Sequence, residues 1–405
     1  MTERGTRPRP GRRTWRRPLV GRRADEEHRA ATPLELFFDL CFVVAVAQAS
    51  AHLHHDLSKD RLEHGVLNFA LVFFAIWWAW MNFTWFASAY DNDDLAYRLA
   101  TLVQIAGALT IAAGVPRAFD DSNFGLVTVG YAVMRLALVT QWLRAAREDP
   151  ARRPTTVRFA VGVTLVQIGW LTRLELPKGW FLAGVLPLVA AELIVPIWAE
   201  RVTPTTWHPR HIAERYGQFT LIVLGESVLA ASIAMQVALD KHRGEAGLVS
   251  LAIAGIVIVF SMWWLYFDQP AHELLTSLKT SIVWGYGHYV IFASAAAVGA
   301  GLAVSVDYDT HAARLSGLAA GYAVALPAAA FLLGVWVLHV WPRQRGLLAA
   351  AYPLTAALVL AAPATPAPVH VVAVLLAALV VVTVVAGRAS PRTTGTDGSG
   401  ERPVG

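Results

Sequence analysis

Runs of about 20 mostly apolar residues recur along this chain, and a run of that length is what an α-helix needs to cross the hydrocarbon core of a bilayer. Only helices and closed barrels can satisfy every backbone N–H and C=O without water, so repeated runs of this length predict a bundle of spanning helices. The 405 residues hold about twelve such runs, near 34–54, 65–89, 95–116, 122–145, 156–174, 178–199, 211–238, 246–268, 281–305, 313–340, 346–362 and 367–387. The fifth and eleventh carry the weakest signal. The connections are short, leaving no room for a globular domain between spans. The fold class expected is therefore all-α, a polytopic integral membrane bundle. Residues 1–30 form a basic arm expected to be disordered, 31–388 the transmembrane domain, and 389–405 a Gly, Ser, Thr and Pro-rich tail also expected to be disordered.

Composition excludes several classes of function. With 56% apolar and 16% charged residues, and a mean hydropathy of +0.47, the chain lies outside the soluble range. The net charge of +5 is carried largely by the first 30 residues, among them Arg4, Arg7, Arg9, Arg12, Arg13, Arg16 and Arg17. An arginine-rich arm beside a membrane suits anionic lipid headgroups, and no pattern of basic and aromatic residues points to nucleic acid. The arm also lacks the short apolar core of a cleaved signal peptide. Cys41 is the single cysteine, which leaves no internal disulfide and no cysteine-rich metal site. By the positive-inside rule the arm and the loop with Arg144, Arg147, Arg152 and Arg153 are expected in the cytoplasm, and an even helix count puts both termini there. The expected location is a bacterial plasma membrane.

Against this apolar background the ionisable residues inside spans stand out, since a charge near the bilayer centre costs about 2.5–3.5 kcal/mol on insertion scales. His211, Glu214, Arg215 and Glu226 lie in the seventh span, with Gly217 and Gly225 leaving room for a close neighbour. Arg215 and Glu226, eleven residues apart, share a helix stripe but sit too far apart along the axis to touch. The plainer reading of His211 and Glu214 is a helix start in the headgroup region. The first span opens Thr32-Pro33-Leu34-Glu35-Leu36-Phe37-Phe38-Asp39, which sets Glu35 and Asp39 one turn apart on one face. In a low-dielectric setting one of two such carboxylates would hold a proton or bind a cation; alternatively Glu35 simply favours the positive end of the helix dipole. Arg98 and Arg135 are the candidate counter-charges, with Asp39, Arg98 and Glu226 grouped between helices 1, 3 and 7. Glu192, Asp268 and His288 complete the set, and a histidine among carboxylates can relay protons or else donate to a backbone carbonyl.

The last three spans, with Arg314, His339 and His370 only near their ends, read as scaffold. His272-Glu273 lacks the second histidine of a zinc protease helix, and no nucleophile elbow or phosphate-cradling loop is present. His52, His54, His55 and His64 crowd one helix end without fixed ligand spacing, so no metal and no cofactor is assigned. Glu35 and Glu214 near the starts of helices 1 and 7, and Trp77-Trp78 echoed by Trp263-Trp264, hint at two six-helix halves in parallel repeat.

Four segments carry a resemblance: Pro33-Leu34-Glu35-Leu36-Phe37-Phe38-Asp39-Leu40, Asp93-Asp94-Leu95-Ala96-Tyr97-Arg98-Leu99, the stretch from His211 to Ser227, and Trp263-Trp264-Leu265-Tyr266-Phe267-Asp268. Together they resemble the bacterial low temperature requirement A family. That resemblance implies a multi-helix membrane protein named for a growth trait, and it assigns no catalytic residues. The polar positions Glu35, Asp39, Arg98, Arg135, His211, Glu214, Arg215, Glu226, Asp268 and His288 are accordingly expected to line a path for a small solute or cation moved with protons. A membrane-embedded enzyme acting on lipids and a structural or sensory protein locked by ion pairs are the alternatives. The sequence leaves the solute and the oligomeric state open.

Overall fold

The computed structural model describes residues 16–22, 30–240 and 245–389. All regular structure among them is helical, in twelve long helices. These are α1 (Pro33–Ser58), α2 (Leu62–Tyr90), α3 (Leu95–Asp120), α4 (Gly125–Glu148), α5 (Arg153–Arg173), α6 (Phe181–Glu200), α7 (Pro209–Asp240), α8 (Glu245–Phe267), α9 (Leu278–Asp309), α10 (Gly317–Val335), α11 (Leu347–Ala361) and α12 (Pro368–Ala389). Ten helices are long and apolar enough to cross a membrane. Of the two spans with the weakest sequence signal, the eleventh is among those ten and the fifth is not. The Gly, Ser, Thr and Pro-rich tail expected at 389–405 lies outside the described residues beyond Ala389.

The starts of α1, α3 and α9 are defined by local chemistry. Thr32 caps α1: its hydroxyl accepts from the Glu35 N–H while the Glu35 carboxylate accepts from the Thr32 N–H, a reciprocal box with Pro33 at the first helical position. Asp94 caps α3 through the Tyr97 N–H at 2.8 Å, and Ser277 caps α9 through the Thr280 N–H. Asp93, just before that cap, adopts a left-handed conformation with φ 51°, which aspartate tolerates better than most residues.

Packing repeats with a period of six helices. In the first half α1 packs on α2 and α3, α3 on α4, α4 on α5 and α5 on α6; in the second α7 packs on α8 and α9, α9 on α10, α10 on α11 and α11 on α12. The halves meet where α1 touches α7 and α9. This order fits two like halves, but the tryptophan echo does not mark them, since Trp77 and Trp78 are buried while Trp263 and Trp264 are exposed. The equivalent positions are marked instead by proline. Glu35 and Asp39 stand two and six residues after Pro33, and His211 and Arg215 stand two and six after Pro209.

Part of the basic arm is docked. Residues 16–22 run across the ends of α2, α3 and α4, with the Arg17 N–H on Asp94, the Leu19 N–H on Glu148, the Gly21 N–H on Asp149 and the Arg22 N–H on the Ala89 carbonyl. Leu19 is fully buried. Arg144 ties the arrangement together by reaching Asp94, Glu148 and the Arg17 carbonyl. Burial alone would raise the Asp94 carboxyl, but the Arg144 guanidinium and the N–H groups of Arg17 and Tyr97 outweigh it and hold the group below the usual carboxylate range.

Candidate functional site

The starts of α1 and α7 cross with their polar faces together, and this brings four ionisable side chains into one closed cluster. Glu35, Asp39 and Arg215 are fully buried, and His211 nearly so. The Arg215 fork grips Asp39 with both ends, Nε donating to Oδ2 at 3.0 Å and Nη2 to Oδ1. Two parallel charge-assisted bonds of this kind are the strong form of the pair. Trp80 on α2 adds a third donor, its Nε1–H reaching Asp39 Oδ1 at 2.7 Å. One turn earlier, Glu35 Oε1 lies 3.3 Å from Arg215 Nη1 and 3.2 Å from His211 Nε2, while its Oε2 takes the Thr32 hydroxyl at 2.9 Å. The carboxylates Glu35 and Asp39 thus each meet a base on α7 rather than sharing a proton with one another.

Counting charge gives the cluster its character. Arginine does not lose its proton in proteins, so Arg215 balances one carboxylate, the one it grips. That leaves Glu35 and His211, which together reach neutrality with a single proton placed on either. A buried, membrane-level cluster is least costly when neutral. With Arg215 gripping Asp39, Glu35 and His211 are the two members of the cluster that face each other across the α1–α7 contact.

An aromatic wall joins this cluster to a second one. Tyr216 follows Arg215; its ring packs against Trp80 at 4.9 Å, and its hydroxyl accepts from Trp85 Nε1 at 3.1 Å. Tyr216 also lies 4.9 Å from the ring of His288 on α9. His288 Nδ1 is 2.7 Å from the Trp284 carbonyl, which can only accept, so Nδ1 carries the hydrogen and Nε2 accepts from the Tyr266 hydroxyl at 3.0 Å. His288 is thus a hydrogen-bonded core histidine. His339, in the π-helical turn Trp336–Val340 that ends α10, is buried with its ring 5.5 Å from His288 and 5.0 Å from Tyr266. The end of α10 therefore adds a buried histidine to this aromatic cluster, and a histidine in an Ala, Val and Leu-rich helix is the sequence signal for it.

The other predicted positions fall elsewhere. Arg135 pairs with Glu192, Nη2 donating at 2.6 Å, in a separate buried site among α2, α4, α5 and α6. There Glu192 also accepts from Trp78 Nε1 and Trp170 Nε1, each at 2.9 Å, and from the Tyr131 hydroxyl at 3.3 Å. Arg98 does not join the carboxylates of α1 and α7. It reaches back to Asp93 at the helix surface, with Nε at 2.7 Å from Oδ1, because a partner five residues away is within reach and costs no desolvation. Glu226 makes no hydrogen bond or ion pair among the described residues and lies far along α7 from Asp39. The grouping of Asp39, Arg98 and Glu226 is thus replaced by Asp39, Glu35, His211 and Arg215. Glu214 is half-buried and accepts from the Ala31 N–H and from Gln218. Asp268 is exposed beside Gln269. Of the histidines crowding the end of α1, His54 pairs with Asp307 at 2.7 Å, His64 with Asp56 at 2.9 Å, and His52 bonds the Gln48 carbonyl.

Comparison with known proteins places the helical region in a family. A family model described as bacterial low temperature requirement A protein matches residues 30–386. The chain is also similar to an uncharacterized protein of Rhizobium meliloti (strain 1021), at 28% identity over 299 residues, which is 66% of this chain and 67% of that protein. The docked arm, residues 16–22, lies before the matched region.

Proposed function

The chain belongs to the bacterial low temperature requirement A family of multi-pass membrane proteins, and from that premise we propose that it moves a small solute or cation in exchange for a proton carried by Glu35 and His211. The observation that supports the reading is the make-up of the α1–α7 cluster: two carboxylates, one guanidinium and one imidazole at the interface of the two halves. A proton gained or lost there changes the charge holding the halves together, which is the coupling that alternating access between repeats requires.

A second reading has its own support. The Arg135–Glu192 site shows that this fold buries ions with every carboxylate oxygen satisfied, so the α1–α7 cluster could serve only to lock helices. Liposomes loaded with a pH-sensitive dye separate the two. Under the transport reading an imposed solute gradient moves protons through the native protein and not through Glu35→Gln or His211→Gln. If the native protein moves no protons with any of a panel of cations and small solutes, while both variants melt at lower temperature, the locking reading stands. A lipid-directed enzyme is less well supported, since its acid and base would have to open to substrate.

A further inference from the structure

At the end of the bundle opposite the Glu35 cluster, the turn between α3 and α4 and the end of α5 line an open pocket of about 430 Å³, in which Asp121, Ser122 and Asn123 are exposed and Arg173 is half-buried. Its lining includes Asp121, Ser122, Asn123 and Arg173. Arg173 is held by two rings, its guanidinium carbon 4.1 Å from the centroid of Phe181 and 5.6 Å from that of Phe124. Stacking of this kind fixes the plane of the guanidinium while leaving its N–H edge free to bind. Among the described residues the Arg173 side chain has no carboxylate or carbonyl acceptor, and the Asp121 side chain has no donor. The side-chain carbonyl of Asn123 accepts from the Gly125 N–H at 2.9 Å, which leaves the Asn123 amide hydrogens available to a ligand.

A charge that is half out of water and unpaired is costly, and arginine fixed between aromatic rings is the usual receptor for a planar or tetrahedral oxyanion. A purely anionic ligand would meet the Asp121 carboxylate as well. One cation and one carboxylate lining the same pocket, each without a partner, match a ligand that carries both signs. We propose that this pocket binds a small zwitterion, with a carboxylate or phosphate on Arg173, Ser122 and Asn123 and an ammonium at Asp121. Beneath it a narrow apolar slot of about 50 Å³ shares Phe124, Arg173 and Phe181 and runs down to Tyr131 and Trp170, two of the donors to Glu192. Arg173 therefore stands at the neck between the pocket and a buried ion pair, and Trp170 is placed to report occupancy.

The test is a binding titration of the full chain in nanodiscs of phosphatidylglycerol, whose headgroup carries no ammonium, following tryptophan fluorescence, with phosphoethanolamine as probe and inorganic phosphate as the control. Phosphoethanolamine is expected to bind more tightly than phosphate. Arg173→Gln should weaken both by about tenfold or more, the scale of one charged hydrogen bond, and Arg173→Lys should retain part of the affinity. Asp121→Asn should remove the preference for phosphoethanolamine and, by lifting the repulsion of the carboxylate, tighten the binding of phosphate. Adding phosphatidylethanolamine to the nanodisc distinguishes sources. Weaker apparent binding of the probe assigns the site to a lipid headgroup, and unchanged binding assigns it to a free solute; both agree with the zwitterion. No binding by the native chain, or native affinity in an Arg173→Gln protein that melts normally, overturns the proposal. Glu35→Gln should leave this titration untouched, so its outcome is independent of proton movement.

Discussion

Arg135 and Arg215 are both buried inside the bundle against a carboxylate, but the carboxylates they meet are situated differently. Glu192 receives two donors on each oxygen, from Arg135, Trp78, Trp170 and Tyr131. One positive and one negative charge cancel, and no lone pair is left to take a proton. Asp39 is held almost as completely, but its neighbour Glu35 must share Arg215 with it and relies on His211, whose charge is conditional. The difference teaches that burial of an ion pair is not itself a functional signal. What separates the two sites is stoichiometry: a matched pair is closed chemistry, and an odd acid beside an imidazole is not.

The largest expected effect tests the closed member of this comparison. Arg135→Ala leaves Glu192 charged and buried without its cation, and should cost about 3–5 kcal/mol, read as a large drop in melting temperature in detergent. A loss no larger than that of a surface substitution would remove the contrast between the sites. Asp39→Asn should cost less, about 1–3 kcal/mol, because Glu35 can then take Arg215 alone. The same variant should also release the proton held between Glu35 and His211, so that proton uptake by the purified protein falls by one. Glu35→Gln should change melting by about 1 kcal/mol or less, since a glutamine oxygen can still accept from Thr32, while abolishing coupled proton movement. Exchanging the partners sharpens the point: Glu35→His alone places two imidazoles together and should lower stability, and adding His211→Glu should restore most of it, a coupling that a double-mutant cycle measures.

The smallest effect concerns the docked arm, which neither ion site touches. The Asp94 carboxyl is depressed in the folded protein, so its contribution to docking is present in full above the unfolded value near 3.9 and is lost as pH falls through the lower folded value. Pepsin should therefore cut around residues 16–22 only well below about pH 4. Arg144→Gln should move the onset of cutting upward; an unchanged onset would show that the arm is held by its backbone bonds alone.

The architecture was legible because a 20-residue apolar run is long enough to outweigh local ambiguity, and the twelve helices fall where those runs lie. The polar cluster was legible only as a set of residues. Glu35, Asp39, His211 and Arg215 are each conspicuous in an apolar span, but their pairing crosses 176 positions, and depth and sign alone also admitted Arg98 and Glu226. Arg98 was misplaced because the distance to a neighbour in sequence was weighed less than its place in a span; Asp93 was the nearer acid. Glu192 gives no sequence sign of its partner because Arg135 lies 57 positions away on another helix. His339 was passed over because a π-helical turn, which carries its ring inward, leaves no mark in hydropathy.

The matched spacing after Pro33 and Pro209 bears on how such a chain could have arisen and how it could be divided. Two copies of the first half, docked in the manner of the present halves, would bury four carboxylates and no base. Two copies of the second would bury two arginines and two histidines with no acid. Each six-helix unit is thus self-excluding and complementary to the other, a lock against homodimers written in four side chains. A chain cut in the connection between α6 and α7 should reassemble when both pieces are made together, and each piece made alone should fail to pair with itself.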